Sequence, residues 1–233
     1  MSSIIVACKT IHNEIEKAIA ETQVTHPVLW IESGLHNWPD KLRAKLQEQI
    51  SSIDNVEYII MAFGYCGNSL LGVQSPNAKL VIPRVDDCIS LLLGSYQKRQ
   101  QLSAEMGTYF LTKGWMEYEN NILKEYERCV VRYGQKRAEH VMKLMLENYK
   151  RVVLIDTGAY NLDDCLGRSC NFACMLGLQH QVVPGSLELL KKLFTGPWDD
   201  EFLVVPPGEA LTFDHFRTDL SITQTNTNFG FSS

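Results

Sequence analysis

The sequence predicts an α/β fold: a mostly parallel sheet with helices on both faces, a Rossmann-like three-layer arrangement. Two observations predict it. Near-continuous apolar runs such as IIVAC (4–8), VEYIIMAFG (56–64) and RVVLIDTG (151–158) alternate with stretches whose apolar residues recur at helical spacing. The runs are also apolar on successive positions rather than on alternate ones, which is the pattern of strands covered on both faces.

Taken in order, strand 4–8 leads into a helical stretch, TIHNEIEKAIA, and strand PVLWIES (27–33) into helix 38–53, where Pro39 suits the first turn. Strands follow at 56–64 and 78–85, then a helix over 87–102. GTYFLTKGW (107–115) is a short extended segment entering a loop. Residues 117–149 are helical, with Gly134 a natural point of division. Strand 151–158, helix 162–178, strand HQVVPG, helix SLELLKKLFTG and strand EFLVVPPG complete about seven β-α repeats. The expectation is one domain over 1–214 followed by a polar arm over 215–233. Two lobes, joined at the long helix 117–149, are the permitted variant.

Composition narrows the function classes. Net charge is −5 with the basic residues scattered, so no nucleic-acid footprint is expected. No run is long and uncharged enough to span a bilayer, and the N-terminus does not read as a signal peptide. The expected place is the cytoplasm. Seven cysteines in a reducing compartment, an odd number, argue against a structural disulfide set.

Ligand sites of open parallel sheets form beyond the carboxyl ends of strands. Cys8 ends the first strand, Cys66 follows the third in GYCGNS, and Cys88 follows the fourth in PRVDDC. All three are thus expected on one rim. Cys88, at a helix start, is expected to feel the macrodipole as stabilisation of a thiolate. Asp86, two residues earlier, would share a side with it and complete a four-coordinate zinc set. Three thiolates alone could instead hold an iron–sulfur cluster with one open iron. His12, one turn beyond Cys8, is a candidate ligand or proton carrier. Arg84 ends the fourth strand, Asp156 ends a later strand and points to the same rim, and Thr108, Lys113 and Trp115 lie in a glycine-bounded loop suited to a small anionic or aromatic ligand; all five are candidate substrate contacts. Cys165, Cys170 and Cys174 read as core packing, and Cys129 as part of a helix's apolar stripe. Dinucleotide, phosphate-loop and nucleophile-elbow motifs are absent.

The stretches ACKTIHNEI, FGYCGNSLLGV, VIPRVDDCISLLLGS, GTYFLTKGW and VVLIDTGAY resemble the domain-of-unknown-function family numbered 1638, over about residues 4 to 210. The resemblance implies cysteines at Cys8, Cys66 and Cys88, a histidine in most members where this chain has Asp86, and an association with corrinoid-dependent methyl-transfer systems of anaerobes. It implies no reaction.

The leading expectation is a metal-dependent enzyme of anaerobic one-carbon or sulfur metabolism acting on a small-molecule substrate, with zinc bound by the three cysteines. The alternatives are an iron–sulfur enzyme for elimination or sulfur removal, and an accessory protein delivering metal or corrinoid to a methyltransferase. A homodimer is the expected oligomer.

Overall fold

The computed structural model describes residues 2–118 and 120–217. The chain is mixed α/β, and the strands form two sheets. The first has the order β2-β1-β3-β4-β8 and the second β5-β6-β7. In the first, β1 (Ser3–Cys8), β2 (Val28–Ile31), β3 (Tyr58–Ala62) and β4 (Lys79–Pro83) run parallel; β8 (Phe202–Val205) joins β4 antiparallel. In the second, β5 (Thr108–Leu111), β6 (Arg151–Asp156) and β7 (Gln179–Pro184) are parallel throughout. Burial follows position. All of β3 is buried at the centre of the first sheet, whereas β7, an edge strand, shows most of its residues to solvent.

The helices are α1 (His12–Thr22), α2 (Pro39–Ser51), α3 (Cys88–Leu93), α4 (Tyr96–Glu105) and α5 (Lys113–Glu117), then α6 (Ile122–Tyr133), α7 (Gln135–Met145), α8 (Asp163–Leu176), α9 (Glu188–Thr195) and α10 (Phe213–Arg217). The stretch 117–149 is therefore not one helix. Tyr118 leaves α5 in extended conformation, Asn121 caps α6 by accepting from the Lys124 N–H, and Gly134 separates α6 from α7. Residues 215–217 of the expected polar arm belong to α10, and 218–233 lie outside the described residues.

One helix joins the two sheets. Every residue of α3 (CISLLL) is buried, the signature of a helix covered on all sides. Leu91 and Leu92 enter the core of the first sheet; Ile89 and Leu93 pack with Phe110, Val153, Ile155 and Val183 of the second. The chain returns to the first sheet beside this helix, where the Ser186 N–H donates to the Leu92 carbonyl at 2.8 Å. The thiol-bearing end of α3 consequently sits at the seam.

β2 and β3 flank β1 on opposite sides. Chain connections leave the gap between β1 and β3 in opposite directions, which opens a crevice at the carboxyl end of these strands.

Candidate functional site

Cys8 is the last residue of β1, Cys66 lies in the loop after β3, and Cys88 opens α3 after β4. All three line one cavity of about 210 Å³, together with Glu32, His36 and Trp115; Leu35, Leu42, Phe63 and Ile89 supply an apolar lining. The backbone explains the convergence. Tyr65 N–H donates to Val85 O at 3.1 Å and Cys66 N–H to Asp86 O at 2.9 Å, so the β3 loop is laced to the β4 loop. Gly64 permits this approach: a Cβ there would stand 2.5 Å from Asp87 Cα. Cys66 itself has φ of 45°, a left-handed conformation that costs a non-glycine residue about 1–2 kcal/mol. The Ser69 hydroxyl, donating to the Cys66 carbonyl at 2.9 Å, helps to hold it.

A second surface closes the cavity from the other sheet. Thr112 caps α5, accepting from the Trp115 N–H, and Gly114 lies so close to the first sheet that a Cβ would meet Thr10 O at 1.8 Å. This brings Trp115 to 5.7 Å from the His36 ring and Tyr118 to 6.4 Å from it.

Two of the three thiols, Cys8 and Cys88, are poor acids in this setting. Burial pushes the Cys8 thiol up to about 12, and the Cys88 sulfur adds to the shift, while hydrogen bonds with Thr10 oppose it. Cys88 is raised well above the ordinary thiol range, first by the Cys66 side chain within hydrogen-bonding reach, then by burial and by Asp87; the Gly64 backbone N–H pulls the other way. The expected dipole assistance to Cys88 is outweighed by these neighbours, and α3 carries the negative Asp87 as its N-cap. Burial holds His36 below the usual imidazole range, so at neutral pH it presents a neutral ring.

The profile of the family described as "Protein of unknown function (DUF1638)" matches residues 30–194. The chain belongs to the DUF1638 family. The matched range of this DUF1638 protein contains Glu32, His36, Cys66, Cys88 and Trp115, and Cys8 precedes it. No curated protein and no solved structure matches the chain.

The other expected site residues disperse. Asp86 and Arg84 line a different cavity, of about 310 Å³, with Tyr65, Ser95 and Phe216. Asp86 turns there because its carboxylate accepts from Asp87 N–H at 3.1 Å and from the Ser90 hydroxyl. Arg84 donates to the His215 carbonyl at 2.7 Å. His12 lies outside the thiol cavity, with Nδ1 3.2 Å from the Lys9 carbonyl. Lys113 pairs with Asp164 at 3.2 Å, and Asp156 accepts from Gly158 N–H at 3.0 Å. Trp115 is the one expected substrate contact that lines the cavity. Among the four cysteines read as core, Cys129 and Cys165 are buried, but Cys170 and Cys174 are exposed. The buried stripe of α8 runs through Cys165, Ser169, Phe172, Ala173 and Leu176, and leaves that pair on the opposite side.

Thr108 serves the framework. Its hydroxyl is 3.1 Å from both Nε and Nη2 of the buried Arg151, which also reaches Gln181 Oε1 at 2.8 Å and Leu102 O at 2.7 Å. Thr108→Val leaves two guanidinium donors short of an acceptor, an expected cost of about 1–3 kcal/mol. Urea denaturation reads that loss, and ligand binding at the thiol cavity is expected to stay as in the parent.

Glu32 and His36 are the contributions that sequence reading missed. Glu32 follows β2 directly, so the strand-end rule would have found it. His36 lies in a short 3-10 turn (Leu35–Asn37) after Gly34, and no pattern in the sequence marks it.

Proposed function

We propose that the cavity is a thiolate metal centre working on a small, largely apolar substrate. The observation that carries this reading is the convergence of Cys8, Cys66 and Cys88, from three separate strand ends, on one cavity at the switch point. Burial and neighbouring sulfur disfavour the bare thiolates of Cys8 and Cys88, and a bound cation offsets both penalties at once. The donor set is soft, which selects zinc or an iron–sulfur cluster over hard cations.

Among the described residues, no group of three or more His, Cys, Asp or Glu side chains stands ready-made to hold a metal ion. The Cys8 thiol donates to Thr10 Oγ1 at 3.3 Å, so metal capture calls for it to turn from Thr10 into the cavity. A fourth donor would come from Glu32 or His36, the two other ligand-type side chains on the wall besides Asp87. Asp87 is engaged otherwise, accepting from Ser90 N–H at 2.8 Å and facing Arg99 at 3.4 Å. When bound, zinc supplies Lewis acidity toward a thiol or methyl donor, and a three-cysteine cluster supplies an iron open to substrate. The chain's own part is to bind and to exclude water: Trp115, Phe63, Leu35 and Ile89 form the apolar wall, and neutral His36 is placed to accept or donate one proton.

Each thiol must lose its proton to ligate, so affinity depends on pH. Below the raised thiol range, zinc affinity should rise about ten- to a thousandfold per pH unit for one to three protons released. Competition against a chelating dye between pH 6 and 8 measures this. A flat profile would contradict thiolate ligation.

A further inference from the structure

We propose that Glu14 is a proton-sensitive clasp on the thiol cavity: neutral, it ties α1 to the loop after β6, and ionised, it draws water into the seam and lets α5 lift away with Trp115. Glu14 lies on α1, whose Ile15 and Ala18 belong to the core of the first sheet. Thr157 follows β6 of the second sheet, and its hydroxyl donates to Glu14 Oε1 at 3.1 Å. The donor is firmly placed: Thr157 is buried, and a Cβ on Gly185 would meet its methyl at 2.8 Å. Glu14 is fully buried, and its Oε2 has no hydrogen-bond partner among the described residues. A dry seam tolerates that unpaired oxygen far better on a carboxylic acid than on a carboxylate.

The surroundings offer the carboxylate no counter-charge. The ionisable groups that face Glu14 are Glu117 of α5 and Tyr160 of the loop after β6. Lys113 of α5 pairs with Asp164 and Glu117, and Lys191 of α9, which packs on α1, pairs with Glu21 and Glu188. Ionised Glu14 therefore keeps one hydroxyl donor and meets a like charge across the seam. The effect falls on α5, because that helix turns Glu117 toward Glu14 and sets Trp115 in the cavity wall. Burial accordingly raises the carboxyl from 4.5 to about 7. The closed seam holds the proton more tightly than an open one. Opening thus becomes easier as pH climbs from 4.5 to 7 and levels off above, by up to about three-hundredfold in all. The inference concerns access to the cavity and needs no bound metal, so its failure leaves the metal reading standing.

Amide hydrogen exchange of the full chain between pH 5 and 8, corrected for the intrinsic pH dependence of exchange, tests the clasp. The reporters are the Met116 and Tyr118 amides, which bond to the Thr112 and Gly114 carbonyls at 3.2 and 3.3 Å; the reference is the buried strand β3. Exchange at the reporters should speed up at least about tenfold from pH 5 to 8 and run ahead of β3 at pH 8, whereas Glu14→Gln should stay flat. Thr157→Val, which removes the donor, should exchange about two- to tenfold faster than the parent already at pH 5. In chain stripped by chelator, at pH 8, Cys66 should be alkylated faster in the parent than in Glu14→Gln, while the exposed Cys170 reacts alike in both. One pH profile shared by parent and Glu14→Gln, or reporter amides no faster than β3 at pH 8, would overturn the proposal. Reporter exchange in the parent that is flat with pH overturns it without any variant.

Discussion

Gly114→Ala is expected to pull α5 off the first sheet and open the thiol cavity on its Trp115 side. The added Cβ would lie 1.8 Å from Thr10 O, a backbone atom with no rotamer to yield. Either α5 or the turn after β1 must move. Overpacking in a closed interior costs about 1–3 kcal/mol and more where backbone is the obstacle. The displacement reaches the site by two routes: Trp115 is the next residue, and Thr10 is the hydrogen-bond partner of Cys8. The expected outcome is a lower urea midpoint together with a red-shifted tryptophan emission, as a partly buried indole gains water. An Ala variant with parental stability and spectrum would mean that the two sheets do not meet as described.

Glu14 gives the second large effect. It is fully buried on α1, its Oε1 accepts from the Thr157 hydroxyl at 3.1 Å across the seam, and its Oε2 has no hydrogen-bond partner among the described residues. Burial raises its carboxyl from 4.5 to about 7; Glu117 adds to the rise and the Thr157 bond opposes it. Tyr160 also faces it. The sign follows from the folded state holding its proton more tightly. The stabilising contribution is complete below pH 4.5, declines between 4.5 and 7 and is gone above 7. Glu14→Gln stays neutral and keeps an acceptor for Thr157, so it lacks that decline. Measured as the difference from the parent, the variant should gain up to about 3 kcal/mol between pH 4 and 8. Parallel pH–stability curves for the two proteins would show that the carboxyl is not buried as described.

The legible part of the site rests on one rule. Strand ends of a parallel sheet gather on one rim, and Cys8, Cys66 and Cys88 were readable there because each closes or follows a strong apolar run. What failed was the extension of local geometry past the strand. The chain bends after β4 instead of continuing as a regular strand through residues 84–87, so the two-residue alternation that would pair Asp86 with Cys88 does not apply, and the Asp86 carboxylate folds back onto Ser90. In α8 the difficulty was the choice of face. Phe172 and Leu176 are buried as their type suggests, but the stripe that contains them also runs through Ser169, and Cys170 and Cys174 fall on the far side. The division into two sheets was equally hidden, since apolar strands carry no mark of their partner. The packing of Ile89 and Leu93 against β5, β6 and β7, rather than against β4, exists only in the folded chain.

The measurement closest to the central claim is elemental analysis and a visible spectrum on protein purified without oxygen, with Cys8→Ala, Cys66→Ala and Cys88→Ala prepared in parallel and checked for fold by circular dichroism. The thiolate-centre account predicts near-stoichiometric zinc, colourless, or iron with a brown absorbance, lost in each of the three folded variants and retained in Cys170→Ala. Metal-free parent protein, or metal that survives all three substitutions, would contradict it.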